Sequence, residues 1–354
     1  MKGNSMGIVI ALLIFCLIIT LHEFGHFISA KLSGIKVNEF SIGMGKAIVQ
    51  KQFGETVYSL RILPIGGYCA MEGEDESTDN ERGFRNAKLW KRMVTLFAGP
   101  FMNFVLGFIA IVGLVSMMYS VPTTAIYGFS CNEDKTEVYA ESYNGGLLSG
   151  DVIKEIDGTN IYSFLDINYI LDTSKTYTHD VVVERDGERL TFNDLTIKDT
   201  STNSKWDFDV DVVGKTPLTV VKGSGQIFMS MGHIIGLGLK QIVTGKVQKN
   251  EIQGPVGVVT AINDTAKQSR SLKEGLYNLL YMTALISINI GIFNLLPFPA
   301  LDGGRLLFCL IELVRRKPVK PEHEGYVHLA GMVLLFGVMI FATYNDIARL
   351  ITGG

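Results

Sequence analysis

Of the chain's 354 residues, 47% are hydrophobic and 19% are charged, and the formal net charge is −3. That balance fits a membrane protein with a soluble insert and excludes an electrostatic binder of nucleic acid. The four cysteines, Cys16, Cys69, Cys131 and Cys309, are scattered with no CxxC pair, so neither a thiolate zinc site nor a disulfide framework is suggested.

In chain order, Met6 to Ala30 is almost unbroken apolar sequence (MGIVIALLIFCLIITLHEFGHFISA). At about 1.5 Å per residue it is long enough to cross a hydrocarbon core of about 30 Å. It is too long for a cleavable signal, and it carries His22-Glu23-Phe24-Gly25-His26, an HExxH motif. An ionisable group in a membrane span costs about 3 kcal/mol and by default marks a functional site. Residues four apart share a helix face, so His22 and His26 can grip one Zn2+. Glu23, beside the first histidine, is placed to act as general base on a zinc-bound water, which is the chemistry of peptide hydrolysis. Chance occurrence of HExxH in a packed helix is the plain alternative, and the cost of burial weighs against it.

Residues 36–71 read as β structure, with Tyr58, Leu60 and Ile62 on one apolar face. An exposed edge there could pair with an extended substrate; an ordinary hairpin is the alternative. The acidic run EGEDESTDNE over 72–81 is expected to be solvated and to have no role in positioning a helix at the site. A second span is expected at about 94–119.

Residues 121–213 pattern as a small α/β domain: Val152 to Ile156 is a strand followed by the turn Asp157-Gly158, and Asp186-Gly187 joins two further strands as a hairpin. The pattern resembles a PDZ domain, which adds a peptide strand at an exposed edge. A domain of this shape that only fills space is the alternative. Residues 222–247 read as an amphipathic or interfacial helix with Met229, Met231, Ile234, Ile235 and Leu239 on its apolar side.

Further spans are expected at about 276–296 and 326–350. Asn294 to Arg305 (NLLPFPALDGGR) follows the third. Pro297 and Pro299 break the helix, and a carboxylate on a broken helix at membrane depth is tolerated where it lines a polar cavity. Two histidines do not complete a catalytic zinc site, and Asp302 is the third-ligand candidate; equally, it could cap a helix beginning at Gly303. The remaining histidines compete poorly. His323 and His328 face different ways and adjoin a charged segment, Lys317 to Glu324, expected to be solvated; His233 has no partner nearby, and His179 reads as surface.

HEFGH in the first span together with NxxPxPxLDGG over Asn294 to Gly304 resembles the site-2 protease family, and within it the regulator-of-sigma-E group. Leu63 to Tyr68, Gly99-Pro100-Phe101-Met102-Asn103 and Gly254-Pro255-Val256-Gly257 resemble that group's other recurring segments. The resemblance covers nearly the whole chain and implies zinc held by His22, His26 and Asp302, with Glu23 as base. It also implies a substrate-facing hairpin with Gly66 and Gly67, and a substrate-orienting role for Asn294. One PDZ-like domain is found, where some members carry two.

The expected architecture is a polytopic α-helical membrane protein with about four transmembrane helices, a membrane-associated β-hairpin and one inserted PDZ-like domain. It divides into a first membrane half (1–120), the PDZ-like domain (121–213), an interfacial linker (214–270) and a second membrane half (271–354). Lysines and arginines crowd the loops after the first and third spans, which places those loops in the cytoplasm of a bacterial cell, the PDZ-like domain outside the plasma membrane and the site toward the cytoplasmic side. The expected function is intramembrane zinc proteolysis of single-pass membrane proteins such as anti-sigma factors or remnant signal peptides. The alternative is a non-enzymatic PDZ-containing membrane scaffold.

Overall fold

The structure, a computed structural model, describes residues 2–74, 76–130, 140–198, 206–245 and 254–352. The chain forms two compact units, one of residues 1–110 and 246–354, the other of residues 111–245. Among the described residues, four helices are long and apolar enough to cross a membrane: Gly7–Ser33, Leu89–Met117, Leu272–Leu295 and Pro321–Arg349. All four expected spans are therefore present, with ends displaced by a turn or so.

The first unit begins with α1 (Lys2–Ser33), whose apolar run is helical throughout. Two long β segments follow, β1 (Val37–Phe53) and β2 (Thr56–Met71), paired antiparallel. Residues 39–42 of β1 have ladder partners on both sides, 67–70 and 57–60, so the pair builds a broader sheet than a simple hairpin. The C-terminal half of α1 packs on this sheet through Phe27, 5.2 Å from Phe40 and 5.9 Å from Tyr58 between ring centroids. Ala30, Ile35, Val37, Cys69 and Met71 close the same core. Burying several aromatic rings in one cluster gives the sheet a fixed seat on α1.

Helix α2 (Leu89–Met117) carries Pro100 in its interior. Helices α6 (Pro255–Gln268), α7 (Leu272–Leu295), α8 (Asp302–Arg315) and α9 (Pro321–Thr352) complete this unit. Ile14 and Ile18 of α1 pack with Ile262 of α6 and Ile286 of α7. The N-cap of α6 is Gly254, which offers no side chain to the free amides of the first turn. The cap comes from α9: Asp346, 3% exposed, accepts from Gly254 N–H at 3.1 Å and Gly257 N–H at 2.7 Å. Asp346→Ala is expected to cost about 1–2 kcal/mol, as lost N-caps do; a thermal midpoint in detergent equal to wild type would contradict this.

The second unit holds a six-stranded antiparallel sheet in the order β7-β6-β4-β3-β8, with β5 paired to β4. The strands are β3 (Ser120–Phe129), β4 (Val152–Ile156), β5 (Thr159–Asn160), β6 (Thr178–Arg185), β7 (Glu188–Thr196) and β8 (Phe208–Gly214). A short α3 (Glu141–Asn144), α4 (Phe164–Thr173) and α5 (Pro217–Val243) complete it. Both Asp-Gly turns form where expected, with positive φ at Asp157, Gly158, Asp186 and Gly187, the geometry that matches strand twist in two-residue hairpins. Ile153, Ile156, Ile167, Val181 and Val183 are buried in its core.

Several expectations are corrected here. The expected 214–270 linker divides: α5 clusters with the second unit and α6 with the first. On α5, Met231 is buried and Met229 exposed, so only part of the expected apolar side is packed. His233 does have a partner: its Nδ1 is 3.0 Å from Asp166, which also accepts from Ser230 Oγ at 2.5 Å and pins α5 to α4. His179 is 3% exposed and paired with Asp157 at 2.7 Å, so it is an interior residue of the sheet. In both cases a distant carboxylate supplies the partner that local sequence does not reveal.

Candidate metal centre

His22 and His26 lie one turn apart on α1, 7% and 6% exposed. Asp302 is the first residue of α8, immediately after the Pro297–Leu301 break. Its Oδ2 is 3.0 Å from His22 Nε2 and 3.4 Å from His26 Nε2, and the two Nε2 atoms are 3.2 Å apart. Tetrahedral zinc with bonds of about 2.0–2.1 Å puts its ligand atoms about 3.3 Å apart. The three donors therefore already have the spacing of one face of a zinc tetrahedron. The capping alternative for Asp302 is overturned: the N-cap of α8 is Leu301, no side chain caps the helix, and the Asp302 carboxylate points to the histidines. His22, His26 and Asp302 are the one group of metal-ligating type with such convergence among the described residues.

The residues around the donors favour a cation between them. His26 Nδ1 donates to the Thr95 carbonyl at 2.8 Å, and a carbonyl can only accept. Its proton is thus on Nδ1, and Nε2 offers a lone pair toward Asp302. His22 Nδ1 lies 3.2 Å from the Asn103 amide nitrogen, while Asn103 Oδ1 is buried with no partner. Half a turn of that amide sets Oδ1 on a His22 Nδ1–H, the tautomer that frees Nε2 to ligate. Ser287 Oγ on α7 donates to the Asn103 carbonyl at 2.8 Å, tying α7 to α2 at this level. Gly99 on α2 is required by space: a Cβ there would lie 2.3 Å from His26 Nε2.

Thr95, Gly99 and Asn103 lie on α2; Gly99 and Asn103 fall in the GPFMN resemblance, and Thr95 carries no sequence signal. Asn103→Leu is expected to weaken zinc affinity by about 10–100-fold, as loss of a partner that orients a ligating histidine does. Chelator competition would read it, and wild-type affinity would remove Asn103 from the site.

Glu23 is half-buried beside the histidines. Its Oε2 accepts from the Cys69 N–H on β2 at 3.0 Å. Gly67 runs alongside: a Cβ there would be 2.8 Å from the Ser41 carbonyl and 3.7 Å from Glu23 Cγ. Gly66, by contrast, lies against Met44, whose Sδ would be 3.1 Å from an added Cβ. Asn294 is half-buried near the end of α7, seven residues beyond Ser287 and so on the same helix face. On the sheet, burial opposes charge on Glu39, but hydrogen bonds from Ser59 and Arg61 outweigh it and hold its carboxyl below the ordinary range. Burial and the charge of Glu39 push the neighbouring Tyr68 hydroxyl up to about 12, so it stays a protonated donor–acceptor at neutral pH.

The acidic run is not merely solvated, contrary to expectation. Glu74 pairs with Arg305 on α8, and Glu72 accepts from Asn38 at 3.0 Å and Thr78 at 2.8 Å. The run thus does hold the helix that begins with Asp302. Glu324, 9% exposed and paired with Arg85 at 2.9 Å, is likewise buried rather than solvated.

Two histidines a turn apart, a carboxylate from another helix and a glutamate beside the first histidine define a zincin-like metal centre on an apolar helix. The chain belongs to peptidase family M50, whose model matches residues 10–338. It is 34% identical to a Clostridium perfringens protein named as a zinc metalloprotease, over 97% of this chain and 98% of the relative. Proteins of Campylobacter jejuni and Fusobacterium nucleatum named in the same way are 32% and 33% identical, over 99% and 98% of this chain and 95% and 99% of theirs. The cofactor is zinc, in agreement with the donor set.

Proposed function

We propose that the protein is an intramembrane zinc endopeptidase of the site-2 type, in which His22, His26 and Asp302 hold the metal and Glu23 is the general base. The observation that carries this reading is the triangle of three acceptor atoms at tetrahedral spacing, beside Glu23, on a helix apolar enough to span a bilayer. Bound zinc supplies a Lewis acid that acidifies water and polarises a carbonyl. Glu23 takes the proton from the attacking water and returns it to the leaving amine. The Cys69 N–H keeps the Glu23 carboxylate turned toward β2, and the closed histidines with the part-open Asp302 leave one side of the centre for substrate.

A membrane helix hides its carbonyls in its own hydrogen bonds, so the scissile segment must unwind. The unwound strand pairs with the 36–71 hairpin beside Gly66 and Gly67, and Asn294 orients it. Residues 121–213 form a PDZ-like domain outside the bacterial plasma membrane that excludes bulky ectodomains, so cleavage follows trimming by another protease. Single-pass proteins such as anti-sigma factors and remnant signal peptides are the substrate class. The basic loops after the first and third spans support a site toward the cytoplasmic side.

The test uses two purified single-span substrates that differ only in the presence of a folded ectodomain. The short form is cut, the long form is cut at least about ten-fold more slowly, chelation stops both reactions and zinc restores them. Cleavage of neither form by zinc-replete protein would favour a scaffold. Equal rates would remove the filter.

A further inference from the structure

The connection from α7 to α8 sets where Asp302 stands. Residues 296–301 include two prolines, and Ala300, two positions before Asp302, has φ +73. That left-handed geometry is unfavourable for a side chain other than glycine and persists only where the surroundings impose it. The imposing surface is α9. Gly331 lies against Pro299 so closely that a Cβ would be 2.3 Å from the proline Cβ and 2.7 Å from its carbonyl oxygen. One turn earlier on the same face, His328 Nδ1 accepts the Ala300 N–H at 2.8 Å. With Nδ1 as acceptor, the proton is on Nε2, which is buried with no hydrogen-bond partner and faces Glu324 Oε1 at 3.8 Å. Glu324 is in turn held by Arg85.

We propose that His328 is a positioning residue of the metal centre: by accepting the Ala300 amide against the space left at Gly331, it holds the left-handed turn that presents Asp302 to the histidines. The inference rests on Asp302 as a zinc ligand. His328 remains outside the ligand set, where the sequence also leaves it. The role needs an acceptor at the Nδ1 position. Asparagine supplies one there through Oδ1, glutamine carries its oxygen to the Nε2 position instead, and leucine supplies none. Glycine at 300 adopts the turn at little cost and lessens the need for the histidine.

The experiment measures zinc affinity by chelator competition and the visible spectrum of the cobalt-substituted protein. It compares wild type, H328L, H328N, H328Q and H328L/A300G in detergent, with an Asp302→Ala control. Expected is a loss of affinity of about ten-fold or more in H328L and H328Q with an altered cobalt spectrum, as for other residues that orient a ligand. H328N retains affinity and H328L/A300G recovers it. Wild-type affinity and spectrum in H328L overturn the proposal. If H328L does not fold, H328N and H328Q decide, and equal affinities in that pair also overturn it. Absence of stoichiometric zinc in wild type, or full zinc in Asp302→Ala, is a different result: it rejects Asp302 as ligand rather than His328 as its support.

Discussion

Glu23→Gln is expected to retain zinc and lose proteolysis. Glutamine lacks the basic oxygen but keeps an amide oxygen that can accept the Cys69 N–H, so the contact between α1 and β2 survives the substitution. Glu23 contributes none of the three convergent donor atoms, so metal content should match wild type. Removing a positioned general base costs on the order of 10²–10⁴ in rate. The turnover of a trimmed single-span substrate should fall by that factor while chelator competition gives an unchanged zinc affinity. Substantial residual cleavage would return Glu23 to a packing role and leave the metal without its base.

The second large effect is at Asp302. Asp302→Ala should leave two histidines, too few protein ligands for a catalytic zinc site, and metal should be lost on dialysis along with all activity. The same substitution should leave α8 intact, because the Asp302 side chain caps nothing and the helix keeps its ties through Arg305 to Glu74 and Glu312 to Arg92. Zinc content and the thermal midpoint, read on the same sample, separate the two roles. Full zinc with a lowered midpoint would make Asp302 structural.

Local pattern made much of this molecule legible. Unbroken apolar runs gave the four helices, because a backbone in hydrocarbon must satisfy its own hydrogen bonds. Helical periodicity set His22 and His26 on one face, and proline chemistry broke the chain between α7 and α8. The Asp-Gly turns followed from positive φ alone. The HExxH spacing marked Glu23 as base and the broken helix offered Asp302 as third ligand, but the physics of the LDGG segment was equally satisfied by a helix cap until the family resemblance favoured the ligand.

What only the tertiary structure decided is which carboxylate meets which cation or amide. Between ligand and cap, the two readings of Asp302 left open by the residues, the structure favours the ligand, because α1 and α8 bring its oxygen to 3.0 Å from His22. The acidic run found a partner in Arg305, 231 residues along the chain from Glu74, and His233, His179 and His328 found theirs on other elements. Such pairings carry no period and no spacing. Buried polar groups must be paired, but the partner is chosen by packing, and packing is a property of the assembled helices and sheets rather than of any one segment.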